Sequence, residues 1–125
     1  MGFIGNLSLN NQNATLSLIN NGQINNTISS NWHSGLTGIQ NNGLMNQIKL
    51  YTDSARSFMT NNGSVNNTQI NAINGGYAGF QNNGALNYVS ANASKLGNIN
   101  FNNLFGSTNW LTATATTGGN ISILS

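Results

Sequence analysis

Apolar residues in this chain recur in short alternating runs, and the runs are punctuated by one polar tripeptide. Asn-Asn-Gly stands at 20–22, 41–43, 61–63 and 82–84, which places Gly22, Gly43, Gly63 and Gly84 at intervals of 21, 20 and 21 residues. Four residues before each glycine is an apolar side chain (Leu18, Ile39, Met59, Phe80), and two after it is another (Ile24, Met45, Val65, Leu86). The third residue after it is always asparagine: Asn25, Asn46, Asn66 and Asn87. The unit is therefore apolar-x-Asn-Asn-Gly-x-apolar-Asn, held in register across four copies.

Asn-Gly is a strong turn signal because both residues tolerate positive φ. The pairs Asn21-Gly22, Asn42-Gly43, Asn62-Gly63 and Asn83-Gly84 are thus expected to be tight turns. A second glycine follows 12 or 13 residues later at Gly35, Gly75 and Gly97. Each repeat then reads as a turn, a longer segment, a looser turn and a shorter segment. Self-similarity at this period marks a solenoid or array whose units bury their apolar faces only against neighbours. The eight apolar positions named above are the expected packing residues. The asparagines at 25, 46, 66 and 87 are placed to form a hydrogen-bonded amide ladder.

The predicted fold is mainly β, a solenoid-like repeat array forming one domain. Residues 1–17 would be an N-terminal β cap, 18–104 four to five repeats, and 105–125 a C-terminal β-hairpin. The fifth, degraded copy would run through Asn102-Asn103-Leu104 and act as a capping coil. The hairpin rests on strict alternation from Leu111 to Thr116, which meets Ile121-Ser122-Ile123 across Thr117-Gly118-Gly119-Asn120. Leu7–Leu9 and Ala14–Leu18 alternate in the same way around a polar loop. Residues 44–59 admit a second reading, since Leu44, Ile48, Tyr51, Ala55 and Phe58 recur at helical spacing. Leu86, Val89, Ala93 and Leu96 echo it over 85–96. Strand is preferred in both, because Asn, Thr and Gly are poor helix formers.

Composition narrows the function. Of 125 residues only 3% are charged: Lys49, Arg56 and Lys95 against Asp53. Ordinary soluble domains carry about 25%, and near-neutral surfaces favour association. Three cations are too few for the basic stripe that neutralises nucleic-acid phosphates, so no nucleic-acid partner is expected. No segment approaches the ~20 apolar residues of a membrane-spanning helix, and no secretion leader is visible. There is no cysteine, hence no disulfide framework or thiolate metal site. A Ser/His/Asp triad could draw only on His33 and Asp53, and no nucleophile-elbow motif frames any serine. One histidine and one carboxylate also fall short of a metal site. No catalytic residue, metal or cofactor is expected, and the chain is read as no enzyme.

The four Gly-x-x-Asn elements (Gly22 to Asn25, Gly43 to Asn46, Gly63 to Asn66, Gly84 to Asn87) resemble the repeat of curli-type amyloid subunits over about residues 18–104. That resemblance implies strand-turn-strand coils and secreted, self-assembling subunits. The chain departs from the curli pattern: the glutamine before glycine lies one place further back at Gln40 and Gln81 and is missing elsewhere, as is the closing glutamine. The expectation is a non-catalytic structural protein that self-assembles, amyloid-like, into an extracellular filament, sheath or matrix. The alternative is a fibre or adhesin module at a particle surface that binds glycans through its amides, hydroxyls and aromatic rings.

Overall fold

The computed structural model describes residues 2–103 and 105–125. It is an all-β solenoid of six coils, each made of one longer and one shorter strand. The longer strands are β1 (Phe3–Gln12), β3 (Gln23–Trp32), β5 (Leu44–Asp53), β7 (Ser64–Ile73), β9 (Ala85–Ser94) and β11 (Ser107–Thr116). They stack in chain order as one parallel sheet. The shorter strands are β2 (Thr15–Asn20), β4 (Leu36–Asn41), β6 (Arg56–Asn61), β8 (Tyr77–Asn82), β10 (Asn98–Asn102) and β12 (Asn120–Leu124), and they stack as a second. Successive strands within a coil belong to different sheets, so each strand pairs only with its equivalents one coil away.

Register between coils converts the repeat into columns of equivalent residues. Ile4, Ile24, Met45, Val65, Leu86 and Thr108 form one interior column, and Leu9, Ser29, Leu50, Ile70, Ala91 and Ala113 another. From the facing sheet come Leu18, Ile39, Met59, Phe80, Phe101 and Ile123. Phe80 and Phe101 stack there with ring centroids 5.4 Å apart. The core runs along the solenoid axis between the two sheets and is driest through the middle coils, where Met45, Ile48, Ile70 and Ile99 are wholly buried.

The helix at 44–59 does not form, and neither does the one at 85–96; both segments are strand. At 44–59 the periodic set mixes buried Ile48 and Ala55 with outward-facing Tyr51 and Phe58, whereas at 85–96 the spacing of buried Leu86 and Val89 has a local cause that the long strands share. Each long strand turns two consecutive side chains outward just after its first core residue: Asn25 and Asn26 between buried Ile24 and Thr27, Asn46 and Gln47 between Met45 and Ile48. That break puts buried residues three apart, as a helix would, before alternation resumes at Leu50 and Thr52.

The terminal hairpins are also corrected. Residues 111–116 lie in β11 of one sheet and 121–123 in β12 of the other, each parallel to the preceding coil. Residues 7–9 and 14–18 are likewise divided between β1 and β2. Alternation reports that a strand has two different faces, but it does not identify the partner. The turns at 13–14 and 117–119 swing the chain onto the opposite sheet instead of reversing it beside itself. Residues 105–125 thus build a sixth coil. The proposed cap at Asn102-Asn103 lies inside the stack, and Leu104 falls outside the described residues.

Candidate functional site

Two features set this solenoid apart chemically: its asparagine columns and its two ends. At the Asn-Asn-Gly corner the first asparagine points inward. Asn20, Asn41, Asn61 and Asn82 are buried, and with Asn103 they form an unbroken ladder. Each Nδ2 donates to the Oδ1 of the next coil, at 2.7, 2.8, 2.8 and 2.7 Å. The Asn61 Nδ2 also donates to the carbonyls of Gly63 and Ala85, at 3.3 and 3.2 Å. One buried amide therefore serves its own turn and the turn of the coil above. Buried polar groups must be paired, and here pairing requires the same residue in every coil.

The second asparagine points outward and forms another ladder of opposite sense. Asn42 donates to Asn21, Asn62 to Asn42 and Asn83 to Asn62, at 2.8, 2.9 and 2.9 Å. A third ladder stands on the bend of the long strands, with Asn46 donating to Asn25, Asn66 to Asn46, and Asn109 to Asn87. The column Asn25, Asn46, Asn66, Asn87 was legible from the repeat. The buried column was not, because the first Asn of Asn-Asn-Gly reads as a turn residue. The available signal was its presence in all four copies and again at Asn103.

The expected backbone role of the repeat glycines is corrected as well. None of Gly22, Gly43, Gly63 and Gly84 is in the left-handed region. Glycine is required there because the corners of successive coils touch. A Cβ on Gly43 would lie 2.0 Å from the carbonyl oxygen of Gly22, and one on Gly84 would lie 2.1 Å from that of Gly63. Positive φ falls instead at the other corner. Trp32–Gly35 and Ser94–Gly97 each close an i to i+3 hydrogen bond around two left-handed residues, His33-Ser34 and Lys95-Leu96. That is the φ pattern of a type I′ turn.

His33 and Asp53 occupy neighbouring coils, the His33 backbone N–H donating to the Asp53 carbonyl at 3.2 Å. The nearby Ser54 hydroxyl lies 3.1 Å from the Asp53 carboxylate and 2.9 Å from the Asn74 carbonyl, its one proton shared between the two acceptors, and Asn74 Nδ2 donates to the same carboxylate oxygen at 3.0 Å. The hydroxyl thus addresses the carboxylate directly, without the imidazole between them. Among the described residues, no three His, Cys, Asp or Glu side chains gather to hold a metal. No helix of the described structure is long and apolar enough to cross a membrane.

At the two ends the stack is open. β1 and β2 at one end, and β11 and β12 at the other, each leave one strand edge unpaired among the described residues. The end coils, 2–20 and 106–125, contain no Asp, Glu, Lys, Arg or Pro. Edge strands of soluble proteins are commonly guarded by such residues. Around the ends Phe3, Ile4, Trp110, Ile123 and Leu124 are exposed, and the interior columns finish on the uncovered Ala113 and Ala115. Columns, ladders and open ends together define a two-sheeted parallel β-solenoid of asparagine-rich coils. No family model, curated protein or solved structure matches the chain.

Proposed function

We propose that the chain is a non-catalytic structural subunit that polymerises end to end into an extracellular filament or matrix, as its resemblance to curli-type repeats implies. The observation carrying this reading is the match between its charge-free open ends. β1 and β11 are each ten residues long, and β2 and β12 are six and five. Seating coil six of one copy under coil one of the next would continue both parallel sheets. It would set Leu111 on Leu7, Ala113 on Leu9, Ile121 on Leu16 and Ile123 on Leu18, the same columns that run through the interior. Such an interface joins two different surfaces, and unless its rotation closes a ring it generates an open filament.

The test is an Ala113→Lys variant, imaged by electron microscopy beside the wild type and Ser90→Lys. Ala113 is exposed in the single chain and would be buried in the stack, whereas Ser90 faces outward in both. Ala113→Lys should keep its β circular dichroism and form no filaments, while Ser90→Lys polymerises. A wild type that stays monomeric at high concentration, or an Ala113→Lys variant that polymerises normally, would sink the reading.

A further inference from the structure

Coil three is shorter at its second corner than the coils on either side. Only Ser54 and Ala55 separate β5 from β6, whereas three residues join β3 to β4 and three join β7 to β8. The short turn between two longer ones leaves a recess of about 1110 Å³. Buried Ala55 contributes to it, with Ser34 from the coil below and Asn74 from the coil above. The recess opens onto the short-strand face beside Arg56, Phe58 and Tyr77.

Register explains the aromatic wall. Phe58 lies between Gly38 and Gly79 on the two neighbouring strands. A Cβ at Gly79 would come within 2.9 Å of the Phe58 ring, so glycine there lets the ring lie close over that strand; at Gly38 there is open space. Phe58 stays 44% exposed, and its centroid is 5.6 Å from that of Tyr77 with the planes tilted by 47°. The one acidic side chain of the sequence, Asp53, is held by Ser54 and Asn74. The Arg56 guanidinium has no ion pair or side-chain hydrogen bond among the described residues.

We propose that this groove binds an acidic saccharide, a hexuronate unit within a polysaccharide. Its carboxylate takes the forked donors of Arg56. The C–H face of the sugar ring lies on Phe58 and Tyr77, and its hydroxyls meet Ser34, Ser54 and Asn74. A single cation beside two rings and several neutral polar groups suits a ligand with one charge per sugar. It is a poor match for nucleic acid, which is held by many phosphate contacts. The groove lies on the side of the solenoid, so the proposal does not rest on end-to-end polymerisation.

Fluorescence anisotropy with a labelled galacturonate oligomer, and a neutral galactose oligomer of equal length, tests it on the full chain in either assembly state. The acidic oligomer should bind about tenfold tighter, the size of one charge-assisted contact at an accessible site. Arg56→Gln should erase that preference, and Tyr77→Ala should weaken both ligands while Tyr77→Phe retains them. Lys49→Gln, on the outer face of the other sheet, should change nothing. Circular dichroism on each variant separates lost binding from lost fold. The proposal fails if the wild type binds neither oligomer, if Lys49→Gln matches Arg56→Gln, or if folded Tyr77→Ala binds normally.

Discussion

Asn61 and Asn62 are chemically identical neighbours that the fold treats in opposite ways. Asn61 is fully buried in the inner ladder, and Asn62 lies exposed in the outer one. Removing a partner from a buried hydrogen bond costs about 1–3 kcal/mol for each group left unpaired. Asn61→Ala should therefore lower the urea-unfolding free energy by at least that much, and Asn62→Ala by less than about 0.5 kcal/mol, since water replaces a surface contact. Asn61→Asp adds a pH dependence. Burial disfavours the ionised carboxylate and raises its folded-state pKa above the unfolded value. The variant should therefore be most stable in acid and lose stability as pH rises through the carboxyl range. Thr27 poses the converse case, for its buried hydroxyl has no hydrogen-bond partner among the described residues. Thr27→Val should stabilise by about 1 kcal/mol, read from the same denaturation curves. For the glycines, Gly63→Ala should cost 1–3 kcal/mol or more because its Cβ would meet the Gly43 carbonyl oxygen at 2.0 Å, whereas Gly38→Ala, with open space around it, should be tolerated.

At the scale of the element, the unit of this protein is the coil. Each coil contributes one residue to every column and contacts chiefly its two neighbours. Excising residues 44–63, so that Gly43 runs into Ser64, should leave a five-coil protein that folds cooperatively with a moderately lower melting temperature. Excising residues 44–53 alone should prevent folding, because every later strand would be delivered to the wrong sheet. Calorimetry on the two deletions distinguishes these outcomes. The same logic shows what the sequence could reveal. The period, the Ile39 and Met45 columns and the Asn46 ladder were legible because they recur at fixed offsets from Gly43. The direction of strand pairing was not legible, since alternation at Leu111–Thr116 looks the same beside a hairpin partner or a coil. The second corner was marked by Gly35, Gly75 and Gly97, but its left-handed conformation was not legible, because the residues that adopt it, among them His33, Ser34, Lys95 and Leu96, are not those that usually announce a turn. Leu96 is 73% exposed at φ 65°, and Leu96→Asn should gain about 1 kcal/mol by relieving a left-handed conformation unfavourable to leucine.

For the whole molecule, polarity is the governing property, since both sheets stack in chain order along one axis and the two ends present different surfaces. Under the end-to-end reading, Ala113→Lys blocks one end only and still offers an intact coil one. Added to wild type as a minor fraction, it should join growing filaments and stop them, shortening mean length in proportion to its share. Electron micrographs of the mixtures would show this, and an unchanged length distribution would count against head-to-tail growth. With no charged side chain in either end coil, polymer yield should change little between dilute and about 1 M salt, where charge interactions are screened within about 3 Å. The stacking of coils in chain order also has a mechanical consequence. The two ends of the chain lie in opposite terminal coils, so tension applied between them pulls along the axis against one inter-coil ladder at a time. A released coil of 20 to 22 residues can extend to about 70 Å at roughly 3.3–3.6 Å per residue, in place of the ~4.8 Å it occupied in the stack. Stretched between its ends, the molecule should lengthen in a few nearly equal steps of about 65 Å, yielding as a series of similar links.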